Sequence, residues 1–208
     1  LIVFTPNDST LQVSTWFQSG VGNWGVNYTG NLTSGDLNND GKDEIAAMYD
    51  YGREDMALFI FTAPATTFIP NQWFRSGIGN WSVLNAKSLN TGDFNNDGRD
   101  ELATMYDYGS QDMALFIFTA PATTFIPSIW FRSGIGNWEA LNTKFVVAGD
   151  FNNDGNNELS AMYDYGSQDT AQIVFTSNGS SFSESTRYRS GRYKWSVTST
   201  INASTEDY

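Results

Sequence analysis

The chain has 208 residues, 40% hydrophobic and 15% aromatic, with 23 acidic residues against 11 basic ones, no His, no Cys and a net charge of -12. So much apolar and aromatic content excludes a disordered acidic tail, and the acidity excludes the basic surface that nucleic acid or an anionic membrane would require. Without His or Cys there is no Ser-His-Asp or Cys-His nucleophile, no His or Cys zinc site and no disulfide framework; carboxylate, hydroxyl and aromatic chemistry remain, with multivalent cations as the favoured partner.

The first residues, Leu1-Ile2-Val3-Phe4, form an apolar run too short for a signal peptide and without basic flanks. No window long and apolar enough for a membrane-spanning helix follows, so the chain reads as soluble, and as already processed if secreted. The next landmark is Gly35-Asp36-Leu37-Asn38-Asn39-Asp40-Gly41, which returns as Gly92-Asp93-Phe94-Asn95-Asn96-Asp97-Gly98 and as Gly149-Asp150-Phe151-Asn152-Asn153-Asp154-Gly155, each 57 positions on. Phe4, Phe61, Phe118 and Phe175 share this phase, as do Trp24, Trp81, Trp138 and Trp195.

Within a repeat, the short apolar run Ile45 to Tyr49 and the continuous run Met56 to Phe61 predict strands, as does Trp73-Phe74 leading into Arg75-Ser76-Gly77. A further strand precedes the acidic loop, as in Lys144 to Ala148. Four strands, A to D, with the loop between A and B predict an all-β chain, a β-propeller-like array of four-stranded antiparallel blades. Residues 1–34 then supply C, D and the next A, and three repeats follow at 35–91, 92–148 and 149–205, in a single repeat domain 1–208. The last A-like segment is Ser196 to Ser204, for about 15 strands and about 3.65 repeats. Incomplete blades at both ends lead to the expectation of self-association, as a closed homo-oligomer or a filament, through shared strand edges.

Oxygen donors at alternate positions with Gly in the sixth place suit Ca²⁺, which takes 6–8 oxygens and needs a sharp turn. The first loop offers Asp36, Asn38, Asp40, the Lys42 carbonyl and Glu44. The second offers Asp93, Asn95, Asp97, the Arg99 carbonyl and Glu101, and the third Asp150, Asn152, Asp154, the Asn156 carbonyl and Glu158. Together the loops hold 11 of the 23 acids, and about three structural Ca²⁺ per chain would bring the net charge from -12 to -6. These loops, with Gly-Asp-Phe-Asn-Asn-Asp-Gly-Arg-Asp-Glu-Leu-Ala-Thr-Met-Tyr-Asp-Tyr-Gly and the following Ala-Leu-Phe-Ile-Phe, resemble the FG-GAP or VCBS repeats, related to the propeller head of integrin alpha subunits. The resemblance covers nearly the whole chain and implies calcium between the first two strands of each blade. It departs from the family in having Glu at the ninth position, where Asp is more usual, and in its low repeat count.

Each B strand ends in Tyr-Asp-Tyr-Gly, with a second acid at Asp55, Asp112 or Asp169. Paired carboxylates can hydrolyse glycosides, but three equivalent pairs point to a structural role in the B–C turn and to a protein that is not an enzyme. Trp73, Arg75 and Trp81, repeated as Trp130, Arg132 and Trp138, admit two readings. They could form sugar-stacking sites between blades, as in propeller lectins resembling this family, or fill the wedge between blades. Asn-x-Ser/Thr sequons stand at Asn7, Asn27, Asn31, Asn80, Asn178 and Asn202, of which Asn7 and Asn178 fall in the C–D turn and are the preferred glycosylation sites. The expectation is an extracellular or cell-surface calcium-binding protein with a structural or adhesive role, the alternative being a lectin with glycan partners.

Overall fold

A computed structural model describes residues 1–7, 10–21 and 23–200. They form two compact units, residues 1–34 with 43–83, and residues 35–42 with those from 84 onward.

In the first unit, β1 (Ile2–Asn7) and β2 (Thr10–Thr15) pair as an antiparallel ribbon, with Phe4 opposite Val13. A four-stranded antiparallel meander follows: β3 (Thr29–Gly35), β4 (Glu44–Asp50), β5 (Met56–Thr62) and β6 (Ile69–Arg75), each beside its sequence neighbour. The second unit holds two such sheets. One comprises β7 (Asn90–Gly92), β8 (Glu101–Gly109), β9 (Asp112–Thr119) and β10 (Ile126–Arg132). The other comprises β11 (Thr143–Gly149), β12 (Glu158–Asp164), β13 (Thr170–Ser177) and β14 (Phe182–Arg189). The sheets are blades of the propeller kind, with the acidic loop between their first two strands.

The strand chemistry explains the order. β5 and β9 are near-continuous apolar runs buried on both faces, which suits inner strands. The fourth strands are mostly exposed, and two of them carry Pro70 and Pro127, tolerated at an edge because an edge strand has an N–H direction without a ladder partner. A bulge recurs where each third strand meets the fourth, between Leu58 and Phe59, Ile129 and Phe131, and Gln172 and Ile173.

In the second unit the two sheets share a core that includes Phe94, Met105, Leu115, Trp138, Phe175 and Phe182. Trp138 meets the next blade at Tyr163 (4.8 Å) and Phe175 (5.5 Å), while Trp130 packs on Phe182 at 5.4 Å. In the first unit Trp24 does the same against Tyr49, Phe59 and Phe61, at 4.6, 4.9 and 5.5 Å. These aromatic residues fill the wedge between consecutive sheets within each unit.

A single 3-10 turn precedes each first strand, at Val26–Tyr28, Val83–Asn85 and Ala140–Asn142. Residues Val197–Ser199 form the same turn, so this part of the segment expected as a last A strand is not strand; residues 201–204 lie outside the described residues. Fourteen strands are found among the described residues, against the 15 expected.

Candidate metal centre

Two acidic loops lie wholly in the second unit, and their geometry is the same. In the loop after β7, the Asp93 carboxylate accepts from the backbone N–H groups of Asp97 (3.0 Å) and Gly98 (2.8 Å), and Asp97 accepts from that of Arg99 (3.0 Å). After β11, Asp150 accepts from Asp154 (3.1 Å) and Gly155 (3.0 Å), and Asp154 from Asn156 (2.9 Å). The turn is possible because Asn96 and Asn153 (both φ 59°) and Gly98 and Gly155 (φ 83° and 93°) occupy the left-handed region, where Asn and Gly are least strained.

Glu101 and Glu158 begin the second strand of their sheets and are 2% and 1% exposed. Glu101 accepts from the Phe94 N–H at 3.0 Å and Glu158 from the Phe151 N–H at 2.9 Å. Burial pushes the Glu101 carboxyl up to about 8 and the neighbouring Asp97 and Asp93 charges push the same way, against the Phe94 hydrogen bond. Glu158 is raised for the same reasons, burial first. Among the described residues no basic side chain forms an ion pair with either glutamate.

The donor set fits a hard cation. In the second loop the Asn95 amide NH₂ donates to both Asp97 (3.2 Å) and Glu101 (2.8 Å), and in the third the Asn152 amide donates to Asp154 (2.9 Å) and Glu158 (3.1 Å). A weak donor thus sits between carboxylates, the position a divalent ion would fill with far more charge. Among the described residues no three acidic side chains close on one point. The aspartates are turned instead toward the loop's own N–H groups.

The start of the first loop repeats the pattern: Asp36 accepts from Asp40 (3.0 Å) and Gly41 (2.8 Å), and Asp40 from Lys42 (3.0 Å). Its ninth residue, Glu44, belongs to β4 in the other unit and is 2% exposed. Successive loops are also joined. Asp36 donates its N–H to the Asp100 carboxylate (2.9 Å) and accepts from the Asp100 N–H (3.1 Å), while the Asn157 N–H donates to the Asp93 carbonyl at 2.8 Å. The eighth loop residue, absent from the ligand pattern, makes this ladder. Its signal in the sequence was the polar side chain kept at positions 43, 100 and 157.

A sequence profile described as an FG-GAP-like repeat matches residues 36–104 and 93–161, more than half of the chain. The chain belongs to this family. Comparison with curated proteins gave no match. Both matched FG-GAP-like segments begin at the first acid of a loop, Asp36 or Asp93, so each matched segment starts at the candidate metal site and ends in the second strand of the next sheet.

The remaining in-phase residues of the FG-GAP-like blades form a structural clamp. Asp55 accepts a forked pair from Arg75 (3.1 and 2.8 Å) and a bond from the Gly77 N–H (3.1 Å). Arg75 in turn lies over the Tyr51 ring, 4.0 Å from its centroid. Asp112, Arg132 and Tyr108, and Asp169, Arg189 and Tyr165, repeat it. The hydrogen-bonded guanidinium holds Asp55, Asp112 and Asp169 below the usual carboxylate range. The first acid of each pair caps its turn: Asp50 accepts from the Gly52 N–H at 2.7 Å, and Asp107 and Asp164 do likewise. The clamp was missed in the sequence, although an Asp and an Arg 20 residues apart recur three times in phase.

Trp73, Trp81 and Trp138 are 4%, 7% and 5% exposed, Trp130 is half-buried, and Arg75 and Arg132 are held by the clamp. Trp130 and Trp138 are wedge residues, Trp73 and Trp81 are buried and both arginines belong to clamps, so these six residues offer no open sugar platform. Of the sequons, Asn7, Asn27, Asn80 and Asn178 are exposed, Asn31 is half-buried in β3, and Asn202 lies outside the described residues. The Asn80 Nδ2, the atom a glycan would join, donates to the Ser76 carbonyl at 2.9 Å. At Asn178 it is Oδ1 that is engaged, accepting from Ser180 and Ser181.

Proposed function

We propose that the chain is a non-enzymatic, calcium-binding repeat protein that works outside the cell, where its blades serve a structural or adhesive role. The observation that carries this reading is the buried glutamate of each complete loop, placed beside two aspartates and a weak amide donor and, among the described residues, without a basic partner. Ca²⁺ would be held by Asp93, Asn95, Asp97, the Arg99 carbonyl and Glu101, by the matching residues Asp150, Asn152, Asp154, Asn156 and Glu158, and in the first loop by Asp36, Asn38, Asp40, Lys42 and Glu44. Bound calcium would supply the positive charge these carboxylates lack. The protein groups hold the loop shape, keep water from the glutamate and tie each loop to the blade.

Each acid of the Tyr-Asp-Tyr-Gly pairs already has a turn or an arginine as partner, which supports a binding rather than a catalytic protein. The exposed Asn178 turn supports an extracellular setting. No helix among the described residues is long and apolar enough to cross a membrane. Metal analysis of the purified chain after dialysis against trace Ca²⁺ tests the reading: about three Ca²⁺ per chain are expected, and none would defeat it.

A second reading, association between copies, is favoured by one observation. Phe4 is 60% exposed, whereas its in-phase counterparts Phe61, Phe118 and Phe175 are 3%, 0% and 0% exposed. Ile2, Leu11 and Val13 are exposed on the same ribbon, an apolar surface that a partner sheet would cover. Sedimentation of the chain and of Phe4→Ser at several concentrations distinguishes an assembling protein from a monomer.

A further inference from the structure

We infer that the exposed face of the β1–β2 ribbon receives the Tyr188 and Trp195 rings of a second copy of this chain, so that copies join head to tail through two unlike surfaces. The inference rests on the reading of association between copies given above, and it names the partner surface and the residues that meet.

The junctions inside each unit set the pattern. In the first unit Phe17 and Trp24, 6.4 Å apart, hold the Phe61 ring at 5.1 and 5.5 Å, and Trp16 packs on Phe68 at 5.3 Å. In the second unit Phe131 and Trp138 hold Phe175 at 5.1 and 5.5 Å, and Trp130 packs on Phe182 at 5.4 Å. The sequence spacing between the residues that hold and the ring that is held is the same in both units.

Two sets of residues carry one half of this pattern each. Ile2, Phe4, Leu11 and Val13 lie on one face of the ribbon, because Phe4 stands opposite Val13 and Pro6 opposite Leu11, and all four are 60–63% exposed. Phe4 is in phase with Phe61 and Phe175, and Leu11 with Phe68 and Phe182, so this face is of the kind that is held. Tyr188 and Trp195 are in phase with the holding pairs Phe17 and Trp24, and Phe131 and Trp138. Their rings stand 6.0 Å apart, close to the separation of the pair around Phe61. They are nevertheless 49% and 37% exposed, and among the described residues no further ring packs on them.

A hydrogen bond and the charge pattern point the same way. Trp24 and Trp138 donate their indole N–H to the hydroxyls of Thr29 and Thr143, at 2.8 and 3.0 Å. Thr200 is in phase with those threonines, yet its hydroxyl oxygen is buried without a hydrogen-bond partner among the described residues. A ring seated against Trp195 as in the other junctions would turn the indole onto Thr200 and complete the third bond. Arg187, Arg192 and Lys194 flank Tyr188 and Trp195 in the chain and form no ion pair among the described residues, whereas the whole chain carries a net charge of -12. Phase therefore selects a second copy as the occupant, and a basic margin meeting an acidic body lowers the repulsion between copies.

The test is sedimentation of the full chain in calcium over a concentration series, with circular dichroism on the same samples to confirm folding. Wild type should associate, and Phe4→Ser or Trp195→Ala should weaken association by about tenfold, the loss expected for an aromatic anchor. Tyr188→Ala, which leaves the turn at Val197–Ser199 untouched, should weaken it as well. Ile78→Ser removes a side chain that is 66% exposed and lies on neither face, and should change nothing. Because the two surfaces are unlike, Phe4→Ser keeps one intact face and Trp195→Ala keeps the other. An equimolar mixture of these two variants should therefore form a one-to-one dimer at concentrations where each alone is monomeric. A mixture that stays monomeric, or Trp195→Ala and Tyr188→Ala chains that associate as wild type does, would overturn the inference and leave association through Phe4 standing. A wild-type chain that is monomeric at every concentration would overturn both.

Discussion

The backbone N–H of Asn157 donates to the carbonyl of Asp93 at 2.8 Å, joining the third acidic loop to the first ligand position of the second. Beside this bond, Gly155 approaches the neighbouring loop so closely that an added Cβ would stand 2.8 Å from the Asn96 side-chain nitrogen, and its φ is 93°. Gly155→Ala therefore combines left-handed strain of about 1–2 kcal/mol with a clash. It should lower thermal stability and weaken calcium at both loops, where an isolated site would lose only one. Calcium titration of the variant, with sites resolved by Glu101→Gln and Glu158→Gln backgrounds, checks the coupling.

Glu101→Gln should have effects of opposite sign with and without metal. Burial, reinforced by the Asp97 and Asp93 charges, disfavours the ionised carboxyl, so a neutral amide relieves that cost in chelator and should leave the melting temperature equal or higher. In calcium the same change removes a ligand charge and should lower both the bound stoichiometry and the melting temperature. A variant destabilised equally in both buffers would identify Glu101 as a packing residue only.

The Asp–Arg clamps set an acid limit. Arg75, Arg132 and Arg189 depress the pKa of Asp55, Asp112 and Asp169 in the folded state, so the clamps contribute stability that is fully present above the unfolded carboxylate value, about 3.9. That contribution is lost as pH falls through the lower folded values. Asp112→Asn should reduce stability at pH 7 and flatten the acid side of the stability profile, measured by denaturant unfolding between pH 7 and pH 2. An unchanged acid limb would show that the clamp adds nothing.

Trp138→Ala removes a side chain 5% exposed that touches Tyr163 and Phe175, and should cost about 3–5 kcal/mol of unfolding free energy. Trp195→Ala, at the in-phase position that is 37% exposed, should cost far less. Equal losses would mean that the two tryptophans are equally buried in solution.

The blades were legible because the 57-residue phase fixed which segments are equivalent, and runs such as Met56 to Phe61 left only an inner strand as their place. The acidic loops, and their place between the first two strands of each sheet, were legible for the same reason. The orientation of the side chains was not: periodicity places Trp130 and Trp138 on a surface between blades but does not say whether that surface is open, and packing on Phe182, Tyr163 and Phe175 closed it. The Asp55–Arg75 pair escaped because its members lie at opposite ends of a hairpin, where no local pattern links them. The turn at Val197–Ser199 read as strand because Val and Thr favour strands, although it is in phase with the 3-10 turns at Val83–Asn85 and Ala140–Asn142.

The central claim, that the acidic loops bind calcium and that calcium stiffens the blades, is tested most directly by thermal unfolding of the full chain in chelator, in Mg²⁺ and across a Ca²⁺ series. Calcium should raise the midpoint with its concentration, each independent site adding about 2.7 kcal/mol once Ca²⁺ is a hundredfold above its dissociation constant, and Mg²⁺ should do much less. A midpoint that is the same in chelator and in saturating Ca²⁺ would contradict it.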